Sequence, residues 1–512
     1  MNENADIHGY LQQAGCCRIC CLRFLKGRLD DFVDVEEALK KVSFKSNVLS
    51  EIKGNHFYLI QRDIPNGGVT DVKENASKKF RANICVACLG LLDGRLMETL
   101  LEQIVTKEAL RQYDCQGFTS SVSLPIALHL RQLSLWLAVL ERFPDRFNKT
   151  AFPDVTVKDA FKMILNQKLE LALDKKFSVN GVMVNVNFKY ANEEAELQLL
   201  EKIKPEVFVD RKAKKHCKKD FITRNAFEKH FTPASVSAEL FRKYIAIPPV
   251  VQAEGLVLEQ VSFTGPTVFL AGRYNKLSRE LSQTPWVIDG KRKMANSVQE
   301  IMTAVVAPWF GVPPDGLIFS SSGREDVDVR CLGEGRPFVL EIPGAFKDYL
   351  TEERAADMEK AIDETLQISV KDLQLVEREE LVHIKQGEED KKKFYRALCV
   401  LKKPVTNEVV DALNINEPFV IEQWTPLRVL HRRPLLSRSR TVYSVKAFAS
   451  TKNDCALVVD VVTQAGTYIK ELVHSDFGRT SPSFKSIIGQ EIDIHALDVM
   501  AVYLDWPKRL RR

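Results

Sequence analysis

The chain has 512 residues, and its 73 Lys+Arg against 68 Asp+Glu leave a formal net charge of +5, with 45% hydrophobic and 28% charged residues. Those values exclude a disordered, collagenous or small disulfide-stapled chain and predict two or more cored domains, at roughly 100 to 200 residues each. So small a surplus does not identify a partner; a polyanion would have to meet locally concentrated basic residues.

The N-terminal stretch has neither a basic start nor a long apolar run, so no signal peptide is expected. The longest apolar stretches are interrupted, for example by Arg131 and Glu141, so no membrane span is expected either. Six of the 11 cysteines fall in the first hundred residues. In a reducing compartment, nucleus or cytoplasm, such clustering points to metal before disulfide. Cys17 and Cys20 form one CxxC pair, and Cys85 and Cys88 a second. Two intervening residues let both sulfurs of a pair turn toward one ion about 2.3 Å away, so the two pairs predict a structural zinc site. Cys16 and Cys21 flank the first pair and leave its register open. A catalytic zinc of the deaminase type needs H-x-E ahead of P-C-x-x-C, and none of the nine histidines stands in an H-x-E.

Between residues 125 and 143 the apolar positions Ile126, Leu130, Leu133, Leu137 and Leu140 recur at helical spacing, and residues 155–173 continue the pattern, which predicts two helices. Residues 177–188 alternate instead, with Val179, Val182, Val184, Val186 and Phe188 marking a half-exposed strand. The run 210–220, DRKAKKHCKKD, holds six basic residues. Pro248-Pro249 mark an interdomain boundary and give domains of residues 1–248 and 249–512. Beyond it the texture is strand-rich, with strands predicted at 257–263, 267–271, 338–342, 381–384, 393–400, 442–449 and 457–462. Helices are predicted at 297–306 and 353–367, so this part reads as one large α+β catalytic domain. The charged run 388–393 reads as a solvated hairpin turn.

Residues 320–338, SSSGREDVDVRCLGEGRPF, surround acidic residues with glycines and arginines on a loop entering a strand. A catalytic carboxylate must stay ionised in a partly dry pocket, which requires a fixed cation nearby and backbone that approaches the substrate closely. Gly323, Arg324, Asp326 and Arg330 can supply those conditions, although a structural Arg/Asp network at a turn uses the same residue types.

With these segments in view, the sequence resembles the Pus-ten family of tRNA pseudouridine synthases, found in archaea and eukaryotes. The resemblance is carried by CRIC…CVACLG, by FTGPTVFLAGRYNKLSRELSQTPW at 263–286, by SSGREDVDVR, by KKFYRALC at 392–399, by QWTPLRVLHRRP at 423–434 and by GTYIKELVHSDFGRTSPS at 466–483. It implies a synthase domain on a mixed, mostly antiparallel sheet with flanking helices, preceded by a zinc-containing, THUMP-like α/β accessory domain that binds RNA. It also implies that Asp326 is the catalytic aspartate, with Asp328, on the same strand face, as the alternative. Tyr395 would stack on the target base. Lys470 would pair with Asp326 and Leu472 would floor the pocket, while Arg324 contacts RNA or holds the loop.

The expected substrate is tRNA, at T-loop uridines fifty-four, fifty-five or both, with other structured RNA as a possible target and a monomer as the acting form. Pseudouridylation needs no organic cofactor, and neither a P-loop nor a G-x-G-x-x-G fingerprint occurs. Phosphates would meet Arg428, Arg432 and Arg433 in the acid-free run 427–440, Lys214 and Lys215 in the run 211–219, and the terminal KRLRR, which serves nuclear import equally well. The rival reading is a noncatalytic RNA-binding scaffold that keeps the fold and the zinc.

Overall fold

The computed structural model describes residues 3–43, 84–147, 153–208, 222–384, 392–431 and 433–510. Lys214 and Lys215 with the rest of their basic run, Arg432, the acidic part of the run 388–393 and the last two arginines lie outside the described residues. The chain divides into two compact units. The first comprises Met1–Gln112, Gly117–Val179 and Met183–Thr264, and the second Tyr113–Gln116, Asn180–Val182 and Gly265–Arg512. No helix among the described residues is long and apolar enough to cross a membrane.

In the first unit, α1 (Arg18–Phe24) starts from its N-cap Cys17 and contains Cys20, and α2 (Gly94–Thr106) follows the second cysteine pair. Helices α3 (Ala127–Arg142) and α4 (Val157–Leu173) fall within the two spans that apolar spacing predicts. The start of α4 is fixed by a capping box, in which the Thr156 hydroxyl accepts from Asp159 N and the Asp159 carboxylate accepts from Thr156 N. Leu130, Leu133 and Leu137 of α3 share a core with Leu197 and Leu200 of α5 (Glu193–Ile203).

A four-stranded sheet joins β1 (Gly117–Ser123), β2 (Lys176–Phe177), β3 (Val182–Lys189) and β4 (Val257–Thr264) in the order β2-β1-β3-β4. The strand expected over 177–188 begins only at Val182. The step from Val179 to Val182 is odd, so the two cannot share a strand face; Val179 is exposed, whereas Val182, Val184, Val186 and Phe188 are buried. The boundary expected at 248/249 also moves. β4 pairs antiparallel with β3 through Val186↔Val261, so the strand after the prolines completes the first unit's sheet, and the units divide after Thr264.

Ten strands of the second unit form one sheet among the described residues. They are β5 (Val268–Lys276), β6 (Ile318–Ser321), β7 (Arg330–Ile342), β8 (Ile368–Val376), β9 (Lys392–Leu401), β10 (Phe419–Trp424), β11 (Ser437–Ala449), β12 (Ala456–Gln464), β13 (Thr480–Ser481) and β14 (Ile492–Val502). Their order is β8-β5-β7-β14-β9-β12-β11-β10-β13, with β6 beside β7. Neighbours run antiparallel except β7 and β14, which meet in parallel through Asp498↔Arg330 and Val499↔Cys331. The mixed, mostly antiparallel sheet is therefore present.

The sheet carries two cores, and the second crosses that parallel junction, since it includes Phe269 of β5 and Cys331 and Val339 of β7. One packs Leu270 and Leu340 against Met302 and Phe310 of α6 (Val298–Phe310) and Met358 and Ile362 of α7 (Glu352–Asp363). The other packs Ala397, Val445 and Val459 against Leu472 and Val473 of α8 (Ile469–His474). The segment linking β6 to β7 enters the sheet beside the junction, so both halves can reach it.

Two local expectations differ from the fold. Residues 381–384 are not a strand: Glu377 and Glu380 cap a 3-10 turn over Arg378–Leu381, and residues 382–384 continue it as helix. Lys392 and Lys393 are not part of a solvated turn, because they open β9, where Lys393 is buried.

Candidate active site and metal centre

Residues 322–329, SGREDVDV, connect β6 to β7 and are held from beneath by charge. Glu325 is buried and pairs with Arg336 of β7, its Oε2 lying 2.8 Å from Nε, with both side chains essentially without solvent contact. Tyr274 of β5 donates its hydroxyl to the same carboxylate at 2.9 Å, and Gln283 Nε2 donates to the Tyr274 oxygen at 2.8 Å and to Gly323 O at 3.0 Å. Arg336 Nη1 also donates to Ser322 O at 2.7 Å. Lys276, at the end of β5, is fully buried and donates to Leu281 O, Asp326 O and Val327 O at 2.7, 3.0 and 2.7 Å. Burial pushes the Lys276 ammonium down to about 8, against partial support from the acidic groups around it. Gly323 takes φ +90°, and a Cβ there would stand 2.7 Å from Lys393 Nζ and 2.9 Å from Arg336 Nη1, so glycine is required.

So anchored, the loop presents Asp326 to a cavity of about 1260 Å³, room for more than one nucleotide by the scale of ordinary ligand pockets, about 300 to 1,000 Å³. Asp326 Oδ2 lies 2.8 Å from Arg428 Nη1 and 3.5 Å from Lys470 Nζ. Arg428 is itself held by Glu471, whose Oε1 lies 2.7 Å from Nε and whose side chain is 1% exposed. Burial works against the Arg428 charge, and Glu471 more than offsets it, leaving the guanidinium above its usual range. Lys470 Nζ sits closer to Asp328, at 2.7 Å from Oδ2. Burial would raise Asp328, but the Lys470 hydrogen bond and charge hold it below the usual carboxylate range. Cationic neighbours thus favour the ionised form of Asp328.

The structure brings Arg324, Asp326, Tyr395, Arg428, Arg433 and Lys470 to the lining of this one cavity. Arg324 is exposed. Burial pushes the Tyr395 phenol up to about 12, so its ring faces the cavity as a neutral aromatic. Four expectations change. Asp328 does not share a strand face with Asp326: both lie in a turn closed by Val329 N donating to Asp326 O at 3.1 Å. Leu472 is buried in the core rather than at the cavity, and Ile469, at the start of α8, lines it instead. Lys470 is not the nearest cation to Asp326. Arg428, expected on RNA phosphate, takes that place because its neck is fixed by Glu471.

Glu471, Glu325, Arg336 and Lys276 were missed by sequence reasoning. For Lys276 a signal existed: it stands two positions after Tyr274 in an apolar strand, and period two places it on the buried face. For Glu471 none did, since its partner lies 43 positions away on another element.

In the first unit, the Sγ atoms of Cys17, Cys20, Cys85 and Cys88 all lie within 4.8 Å of one another, with Cys17 and Cys88 3.9 Å apart. Metal–sulfur bonds of about 2.3 Å in a tetrahedron give sulfur edges of about 3.8 Å, so this set can hold a metal ion. Cys17 N donates to Cys85 Sγ at 3.2 Å, and the buried Arg23 places Nη1 3.9 Å from Cys20 Sγ, partners that suit negative sulfurs. The register is resolved as well: Cys16 and Cys21 stand outside the set, with Cys16 beside Cys85 and Cys21 Sγ approaching Cys16 O.

Residues 269–503 match the family profile described as Pus10, C-terminal, and residues 85–262 that described as Eukaryotic Pus10, N-terminal. A "Putative tRNA pseudouridine synthase Pus10" of Drosophila melanogaster is 44% identical over 505 residues, which cover 99% of this chain and 98% of that one. The "tRNA pseudouridine synthase Pus10" of Homo sapiens is 33% identical over 534 residues, covering 99% and 98%. That of Thermofilum pendens is 35% identical over 243 residues, covering 46% of this chain and 52% of its own. Identity sustained across nearly the whole of both chains in two of these relatives leaves one assignment: the chain belongs to the Pus10 family of pseudouridine synthases.

Proposed function

We propose that the chain isomerises T-loop uridine of tRNA, at position fifty-four, fifty-five or both, with Asp326 as the catalytic carboxylate. The observation that carries this reading is the Asp326 carboxylate on the cavity wall, 2.8 Å from an arginine that is itself fixed by a buried glutamate. The relatives named as tRNA pseudouridine synthases support tRNA as the substrate.

The reaction breaks the uridine C1′–N1 bond, turns the base and forms C1′–C5; the C5 proton leaves and N1 takes one up, so no co-reactant is consumed. Asp326 serves it by attacking the sugar or base, or by taking a ribose proton. A base inside folded RNA must first be turned out of its stack. Tyr395, lining the same cavity, offers that base a neutral ring, and Arg324 and Arg433 offer its phosphates positive charge.

In the first unit, Cys17, Cys20, Cys85 and Cys88 hold zinc, which ties the two CxxC segments together and supplies folding energy there. This unit is the accessory RNA-binding, THUMP-like part of the enzyme.

The decisive experiment incubates recombinant protein with unmodified tRNA transcript and maps pseudouridine by base-specific chemistry, for wild type and Asp326→Ala. Pseudouridine at a T-loop position with wild type and none with the variant is expected. Folded wild type that binds tRNA yet modifies none would replace this reading with the scaffold reading. Full activity in Asp326→Ala would move the catalytic role to Asp328. For the metal, Cys85→Ser should lose zinc by elemental analysis, and unchanged zinc removes Cys85 from the ligand set.

A further inference from the structure

Directly after α8 the backbone turns left-handed. Ser475, Asp476 and Phe477 take φ of 76°, 50° and 60°, and Gly478 follows at 88°. Consecutive residues with side chains are rare in this region, because Cβ crowds the following carbonyl; glycine or asparagine is the undemanding choice. Here the third position is phenylalanine.

The surroundings impose the turn. Ser475 N donates to Glu471 O at 2.8 Å, Thr480 N to Ser475 O at 3.0 Å and Gly478 N to Ser475 Oγ at 3.0 Å. The Asp476 carboxylate accepts from Leu427 N at 3.2 Å and pairs with Arg479 at 3.5 Å. Arg479 Nη2 donates to Thr425 O at 2.7 Å, and Trp424 N donates to Arg479 O at 2.9 Å. The turn is strapped to residues 424–427, next to Arg428, whose guanidinium reaches Asp326.

This anchoring displays apolar side chains to water. Phe477 is 93% exposed, and Trp424 and Leu427 on the strapped corner are 45% and 47% exposed. A phenylalanine held in strained backbone with nearly all of its surface in solvent adds nothing to the core, and such strain concentrates at functional positions. The neighbouring run 427–440 holds five arginines and no acid, and Arg428 and Arg433 line the cavity. An exposed ring beside an arginine-rich run suits an anion that carries flat aromatic groups.

We propose that Phe477, with Trp424 beside its anchor, is a stacking platform for an unpaired base of the substrate RNA other than the uridine being isomerised. The proposal rests on the synthase reading of the cavity and adds a second base contact to it. A strand whose target nucleotide enters the cavity lays its neighbour over the strapped turn, where the ring meets the base face and the arginines meet the backbone. Stacking of this kind tolerates any base, because every base has a π-face.

The test compares full-length wild type with Phe477→Ala, Phe477→Trp and Phe477→Leu in steady-state kinetics on unmodified tRNA transcript. The same proteins are titrated with a transcript carrying 2-aminopurine at a T-loop purine. Truncation to alanine should lower kcat/KM roughly five- to a hundredfold, the range for one stacked base, through KM, with kcat and thermal midpoint kept. Tryptophan should restore the wild-type value and leucine should not. The 2-aminopurine fluorescence should be quenched by wild type and by Phe477→Trp, but not by Phe477→Ala. Unchanged kcat/KM and quenching in Phe477→Ala, or rescue by leucine equal to that by tryptophan, overturns the platform; the latter outcome marks an apolar contact of the kind a protein partner makes. Quenching by a wild type that forms no pseudouridine sinks the catalytic reading and leaves the platform standing.

Discussion

Glu325 and Asp326 are neighbours in the chain and opposites in environment. Glu325 faces inward, without solvent contact, with its oxygens committed to Arg336 and Tyr274. Asp326 faces the cavity, a third exposed, with Oδ2 toward Arg428. The inner carboxylate completes a closed network whose members all belong to the protein. The outer one lies where a substrate can reach it, and its partners come from the far half of the sheet. A loop that presents one carboxylate to the cavity is thus held by a second, buried one residue earlier. On the proposed reading the difference separates catalysis from stability, and each side can be removed independently.

The largest effect is expected on the outer side. Asp326→Asn keeps shape and removes the charge, so pseudouridine formation under single-turnover conditions should fall by about 10²- to 10⁴-fold or more, with the denaturant midpoint unchanged. A variant that unfolds instead would show that the exposed carboxylate is also structural, and the contrast with Glu325 would collapse. On the inner side, Glu325→Gln leaves Arg336 buried without its anion. The expected cost is about 3–5 kcal/mol of folding stability, read from urea unfolding of the second unit's transition. A neutral result there would mean that Tyr274 and Ser322 O suffice to satisfy the arginine.

How much of this could be read beforehand follows from where the partners lie. The cysteine set was legible because each half is local: two residues between cysteines fix the geometry, and the fold had only to bring Cys17 and Cys20 to Cys85 and Cys88. Helices α3 and α4 were legible for the same reason, since 3.6-residue spacing is a property of a single segment. The family resemblance singled out Asp326, and Asp326, Tyr395, Lys470 and Arg433 line the same cavity. The pairing inside the site was not. Arg428 stands in a run of arginines that reads as phosphate-binding, and only the tertiary approach of Glu471 turns it toward Asp326. The domain boundary misled because a proline pair marks where a chain turns, whereas β4 belongs to whichever sheet offers it an edge.

The Arg428–Glu471 pair gives a smaller effect and sharpens the contrast. Glu471→Gln retains an acceptor for Arg428 Nε but loses the charge that holds the guanidinium in place. Charge-assisted hydrogen bonds of this type contribute about 1.5–3 kcal/mol, so kcat should fall by roughly ten- to a hundredfold while KM for tRNA changes little. Were Arg428 mainly a phosphate ligand, KM would rise instead, and binding would lose salt dependence by about one counterion.

The smallest effect is a pH dependence set by Lys276, which couples the two sides by holding the carbonyls of Asp326 and Val327 from within. As an ammonium it has three N–H groups for its three carbonyl partners, and as an amine it has two. Its proton leaves the folded chain near pH 8, against an ordinary value of 10.5. Between those values the unfolded chain holds more protons than the folded one, so this group's contribution to stability rises with pH. Loosening of the loop should therefore appear in activity and not in stability: kcat is expected to decline a few-fold from about pH 7 to about pH 9.5, with a half-point near the folded value of about 8. Lys276→Met, which cannot titrate, should be slower at neutral pH and lack that limb. The ratio of the two profiles removes any titration of the RNA itself, and a ratio constant across the range would detach Lys276 from control of the catalytic loop.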